Sequence, residues 1–178
     1  MKKILVVVDY QKDFVDGALG FEDAKKIEKG IYNKVKWYLD NNYIVIFTYD
    51  THKDNYLDTR EGKNLPVVHC VEGTEGHELY GILKEFKDKE NTIHINKVSF
   101  GLSPEELIEI RNNVGREIEE IEIVGVVTDI CVISNVVTMQ STFPESKIIV
   151  DSKLCSSFDK EQHEKALSIM KSIQAIVL

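Results

Sequence analysis

The run Ile4-Leu5-Val6-Val7-Val8 is an unbroken, mostly β-branched apolar stretch at the start of the chain. A strand without a polar side must be covered on both faces, which is the condition of a strand inside a parallel sheet flanked by helices. Four further stretches end the way this one does, at a residue of special character. The first strand ends at Asp9, Tyr43-Ile44-Val45-Ile46-Phe47-Thr48 leads to Asp50, and Thr92-Ile93-His94-Ile95-Asn96 leads to Lys97. The apolar/acidic alternation over residues 118–124 stops at Gly125, and Lys147-Ile148-Ile149-Val150 stops at Asp151. Ala175-Ile176-Val177-Leu178 is a final short strand.

Helical spacing fills the gaps between these runs. Ile27, Ile31, Val35 and Tyr38 or Leu39 predict a helix over residues 24–39, and a shorter one is predicted over 78–86. Ser103-Pro104-Glu105-Glu106 is a helix start with Ser as N-cap, Pro in the first turn and Glu at the capping-box position, and Gly115 is its stop. Val132, Val136, Val137 and Met139 continue as a helix after Cys131, and Phe158-Asp159 precedes a helix over 160–172. Strands alternating with helices require right-handed crossovers, so the expectation is one α/β domain over residues 1–178, an open parallel sheet with helices on both faces.

Composition narrows the function classes. At 178 residues and 43% hydrophobic content the chain can bury a core without staples. A formal net charge of −8 argues against a nucleic-acid partner, because no basic face meets the phosphate charge. No apolar run approaches membrane-spanning length, and Met1-Lys2-Lys3 leads straight into a strand and not into a signal-peptide core. The three cysteines, Cys70, Cys131 and Cys155, lack zinc-ribbon spacing, which points to reduced thiols and a cytoplasmic home.

In open parallel sheets the site lies beyond the carboxyl ends of the strands. Asp9, Asp50, Lys97 and Cys131 all fall there. Cys131 is expected on the first turn of a helix opening off a strand, where helix amides stabilise a thiolate or an oxyanion, with Thr128 or Asp129 as N-cap. Asp9 can take the thiol proton and return it to a leaving amine, Lys97 can hold both anions, and the amides of Val127 and Cys131 can face the oxyanion. A second group lies in the long polar stretch over residues 50–76. Asp50 and His52 are two apart, so an extended strand end points both side chains the same way. With Glu61 and His69 they make two imidazoles and two carboxylates, a set suited to zinc, iron or manganese. Taken singly, a cysteine can be core filler and a loop histidine a surface residue, and spacing alone leaves both readings open.

Three blocks resolve this ambiguity. Val8-Asp9-Tyr10-Gln11-Lys12-Asp13-Phe14, Lys97 and Gly125-Val126-Val127-Thr128-Asp129-Ile130-Cys131-Val132 resemble the signature blocks of the isochorismatase-like cysteine hydrolases. The resemblance covers essentially the whole chain. It implies a three-layer α/β/α fold with a six-stranded parallel sheet, related to the Rossmann type. It also implies an Asp9-Lys97-Cys131 triad working through a thioester on Cys131, and a cis Val126-Val127 peptide that helps shape the oxyanion hole. Asp50-Thr51-His52, Glu61 and Pro66-Val67-Val68-His69 look like the metal site of the nicotinamidase/pyrazinamidase branch, which binds a divalent ion, zinc before iron or manganese. Carbamoylsarcosine-type amidases lack this cluster, and isochorismatase proper lacks the nucleophilic cysteine. The sequence departs from the branch at Asn64-Leu65-Pro66, where nicotinamidases usually carry an aromatic that stacks on the pyridine ring. It departs again after Lys97, where Val98-Ser99-Phe100-Gly101-Leu102 is shorter than the usual aromatic-rich segment. Phe14 and Phe100 are the remaining candidates to line a ring pocket.

The expectation is therefore an amidohydrolase of the nicotinamidase type, converting nicotinamide to nicotinate and ammonia, in the setting of NAD metabolism. Its partner is a small-molecule amide, and a homo-oligomer is compatible with the sequence. The alternatives are the same machinery on another small amide, a non-catalytic binding module on this fold, and a thiol redox protein using Cys70 or Cys155 as a resolving cysteine.

Overall fold

The computed structural model describes residues 2–178. Six parallel strands form one sheet: β1 (Lys3–Val8), β2 (Ile44–Asp50), β3 (Thr92–Lys97), β4 (Glu120–Val126), β5 (Lys147–Ser156) and β6 (Ile176–Val177). Their order across the sheet is β3-β2-β1-β4-β5-β6. Alternation along β1 divides its apolar side chains between two cores. Ile4, Val6 and Val8 face α5 (Pro104–Val114), α6 (Ile133–Thr142) and α7 (Lys160–Ser172) through Ile110, Val136 and Met170. Leu5 and Val7 face α3 (Glu28–Asp40) through Ile31 and Val35. The result is the three-layer α/β/α arrangement that the apolar runs require.

The topology puts the site in one place. From β1 the chain moves outward through β2 and β3, then returns and moves the other way through β4, β5 and β6. The direction reverses between β1 and β4, and the crevice of such a sheet opens beyond the carboxyl ends at that reversal. Val8, the last residue of β1, is in register with Thr48 of β2 and with Gly125 of β4. Asp50 is in register with Lys97 of β3. The segments after β1, β2, β3 and β4 therefore converge.

Several elements differ from their sequence expectations. The helix over 24–39 is two, α2 (Glu22–Lys26) and α3, meeting at Ile27, which ends one and starts the other while staying buried. Within α3, Gly30 gives room to the Leu154 side chain of β5, whose terminal methyl would lie 2.3 Å from a Cβ at this position. The short helix over 78–86 is a 3₁₀ stretch, Gly81–Phe86, in keeping with a segment too short to gain from α-helical cooperativity. The loop after Asp9 carries a one-turn helix, α1 (Lys12–Val15), and the long polar stretch carries α4 (Arg60–Asn64), capped by Thr59. β5 does not stop at Val150. It passes an irregularity in the ladder and pairs again, Cys155 with Gly125 and Ser156 with Val126. The Ser103 capping box and the stop at Gly115 form as expected. Among the described residues, no helix is long and apolar enough to cross a membrane.

Candidate active site

Asp9 and Lys97 sit at the bottom of the crevice, and neither side chain has any exposed surface. Lys97 Nζ lies 2.7 Å from Asp9 Oδ2 and donates to the Ser99 carbonyl at 3.0 Å. The other oxygen, Asp9 Oδ1, accepts from Thr48 Oγ1 at 2.6 Å. Thr48 was not among the expected site residues, since only the register of β1 against β2 brings it to Asp9. Burial raises the proton affinity of Asp9 above that of a solvated carboxylate, against the opposing pull of Lys97. Burial works against the charge on Lys97 too, but Asp9, Cys131 and Asp50 outweigh it and hold the ammonium charged.

The peptide between Val126 and Val127 is cis. The chain then enters a π-helical turn, Thr128–Val132, before α6 begins. Cys131 lies on this turn, buried, where the charges of Lys97 and Asp9 both act on its thiol. Burial pushes the thiol well above the usual thiol range, while the Lys97 cation pulls the other way. Neither Thr128 nor Asp129 caps the turn. Thr128 Oγ1 pairs with His163 Nδ1 of α7 at 2.9 Å, and Asp129 Oδ1 accepts from Ser157, so neighbouring segments take both side chains away from the turn amides.

Beside this centre stand Asp50, His52, Glu61 and His69, each with one donor atom, all within 4.8 Å of one another. His52 Nε2 is 3.0 Å and His69 Nε2 3.3 Å from Asp50 Oδ2, and Glu61 Oε1 lies 3.7 and 3.9 Å from the same two nitrogens. His69 Nδ1 faces the Val67 carbonyl at 2.7 Å, which fixes the proton on Nδ1 and leaves Nε2 pointing into the cluster. Burial opposes ionisation of Asp50, but the adjoining His52 and His69 rings and the Lys97 cation outweigh it and keep the carboxyl well below its ordinary range. Burial and the Asp50 charge push Glu61 up. Four lone-pair donors converging in a buried site need a positive charge among them. Two imidazole nitrogens with two carboxylates are a donor set that a divalent ion such as zinc fits.

A cavity of about 350 Å³ joins the two groups. Cys131, Asp50, Glu61 and His69 reach it; Asp9 and Lys97 lie behind it. Its walls are apolar: Phe14 and Phe100, the two residues expected to line a ring pocket, with Leu19, Leu65, Val127, Ile130 and Phe158. Phe14 meets the His69 ring edge-on at 5.5 Å, and Phe158 packs on Phe21 at 4.6 Å. In the sequence, Phe158 is readable only as the lead-in to α7. Cys70, Cys131 and Cys155 are all free and buried, and burial raises all three thiols.

The profile of the isochorismatase domain matches residues 3–178. The chain belongs to the isochorismatase family. This family member is 32% identical over 175 residues to the isochorismatase family protein PncA of Bacillus subtilis (strain 168), covering 94% of this chain and 93% of that protein. Among solved structures it matches the nicotinamidase PncA from Bacillus subtilis with a TM-score of 0.87 and 34% identity, over 99% of both chains. It matches the pyrazinamidase/nicotinamidase from Streptococcus mutans UA159 with a TM-score of 0.88 and 27% identity, over 99% of this chain and 100% of that one. Family and neighbours together mark an isochorismatase-family hydrolase on the six-stranded parallel sheet described above.

Proposed function

We propose that this chain is a single-domain cysteine amidohydrolase that converts nicotinamide to nicotinate and ammonia, with Asp9, Lys97 and Cys131 as catalytic residues. The observation that carries the reading is the cavity in which a buried thiol, backed by the Asp9–Lys97 pair, opens beside the Asp50–His52–Glu61–His69 cluster. About 350 Å³ is at the small end of ligand pockets, which run from roughly 300 to 1,000 Å³, so the substrate is small. The apolar walls suit a flat ring.

Asp9 accepts the Cys131 proton as the sulfur attacks the amide carbon, and the carbonyl π bond breaks with its electron pair moving to oxygen, giving a tetrahedral oxyanion facing the amides of Val127 and Cys131. The protonated Asp9 then delivers its proton to the nitrogen, ammonia leaves, and a Cys131 thioester remains. A water molecule loses one proton to Asp9 and attacks the thioester; the sulfur departs and takes that proton back from Asp9, and the acid product gives up its remaining proton to solvent as the carboxylate. Lys97 stays charged throughout and offsets whichever of Asp9 or Cys131 is anionic. Asp50, His52, Glu61 and His69 would hold a divalent ion, which would supply Lewis-acid binding of a ring nitrogen.

Purified protein should release ammonia from nicotinamide. Cys131→Ala should lose more than about 10³-fold in turnover, and chelation should remove activity that zinc restores. No turnover with zinc present would retire the ring substrate. The same machinery on a different small amide then takes its place, a reading favoured by the aliphatic Leu65 on the cavity wall.

A further inference from the structure

Gln11 is fully buried, and its carboxamide has three backbone partners. Its Oε1 accepts from the Asp50 amide at 2.8 Å, while Nε2 donates to the Asp50 carbonyl and the His77 carbonyl, both at 2.9 Å. The reason lies in the edge that β1 abandons. Val8–Thr48 is the last register pair between β1 and β2, and Asp9, at φ 47°, turns the chain away. Asp50, two residues beyond Thr48, would present an unpaired N–H and C=O toward the space β1 has left. The Gln11 side chain fills that space as a substitute peptide group. A buried strand end cannot leave such groups unpaired without cost, and a carboxamide, with its acceptor and its donors on separate atoms, meets both groups at once.

Two residues on, the Asp13 carboxylate does the same for the other side of the cluster. Asp13 Oδ2 accepts from the Cys70 amide at 2.7 Å, and Oδ1 accepts from the Ala18 amide at 3.2 Å. Cys70, held in a left-handed conformation at φ 47°, follows His69 and passes its carbonyl to the His52 amide at 3.0 Å. Asp50 is thus held by Gln11, while His52 and His69 are held by Asp13 through Cys70.

We propose that Gln11 and Asp13 are positioning residues that set the spacing of Asp50, His52 and His69 for a divalent ion, so that one turn of chain carries both Asp9 and the frame of the metal cluster. The inference rests on the metal reading of that cluster. Two near-isosteric variants test it. Gln11→Glu keeps the acceptor but turns a second oxygen toward two carbonyls. Asp13→Asn turns an NH₂ toward one of two N–H donors. Neither residue touches the ion itself, so the expected effect is that of lost outer-shell support, a fall of about 10- to 100-fold in zinc affinity. Zinc affinity is read by competition with a chromophoric chelator on protein shown by circular dichroism to be folded, without any assay of turnover. Tyr38→Phe serves as the control for mere destabilisation, since it removes a buried bond to Glu122 far from the cluster and should leave zinc affinity unchanged. If the native protein binds zinc and both variants bind it equally well, the positioning role is overturned while the metal reading stands. If the native protein binds no zinc, both fall together.

Discussion

The Asp9–Lys97 pair combines the greatest burial with the greatest consequence. Each group alone would be costly so far from water, and each is tolerable because the other stands 2.7 Å away, with Thr48 and the Ser99 carbonyl adding one hydrogen bond each. Lys97→Met should therefore do more than slow catalysis. It leaves an uncompensated carboxyl group in the floor of the crevice, and the unfolding free energy should fall by about 3–5 kcal/mol, measured by urea denaturation. Adding Asp9→Asn to that variant should recover part of the loss, because the orphaned charge goes with it. Equal losses in the single and double variants would mean that the pair is not an electrostatic unit. Both residues could be named from the sequence, as the ends of two β runs. Their pairing is an expectation of chemistry and of the family resemblance, but its geometry is not legible, since they are far apart in the chain and meet only through the order β3-β2-β1.

At the scale of elements, β3 carries a titratable group into the packed layer. The His94 ring stacks on Phe47 at 5.0 Å with an interplanar angle of 8°, and its Nδ1 pairs with Tyr49 Oη at 2.7 Å. Burial lowers its proton affinity below that of a free histidine, and burial acts the same way on His77. The sign follows from linkage. With the folded value depressed, the unfolded chain takes up a proton below a pH of about 6.5 while the folded chain does not. Stability is whole above that pH and declines as pH falls toward the folded-state value. His94→Gln should flatten the decline between pH 7 and 5 in denaturation midpoints, with His77 still contributing; an unchanged slope would remove His94 from the account. Element boundaries were legible where local chemistry sets them, as at the Ser103 capping box. They were not legible where neighbours set them. The break at Ile27, the continuation of β5 to Ser156 and the π turn under Cys131 answer to packing across the sheet.

For the molecule as a whole, the site depends on how closely two central strands approach at the reversal point. Gly125 adopts φ 120°, and a Cβ there would lie 2.2 Å from the Val8 carbonyl oxygen and 2.7 Å from the Val8 amide nitrogen. No flexible side chain can yield; the obstacle is backbone. Gly125→Ala should force β1 and β4 apart just before Asp9 and Cys131, costing about 1–3 kcal/mol from the backbone conformation alone, with the steric term added. The expected result is a lower melting temperature together with loss of turnover in whatever protein remains folded. A variant of native stability and activity would show that the two strand ends need not be so close.

The α/β class, the parallel sheet, the family resemblance and the residue types at the strand ends are legible in the order of amino acids alone. Those follow from local rules: β-branched runs without a polar face, helical periodicity, capping residues and signature blocks. Tertiary structure alone decided which of those residues meet. The strand order put Lys97 against Asp9, the register put Thr48 on the Asp9 carboxylate, and the early departure of β1 gave the Gln11 side chain a backbone to pair with. Leu19, Leu65, Ile130 and Phe158 became cavity walls for the same reason. A cavity is a property of surfaces brought together from distant segments, and no spacing along the chain encodes it.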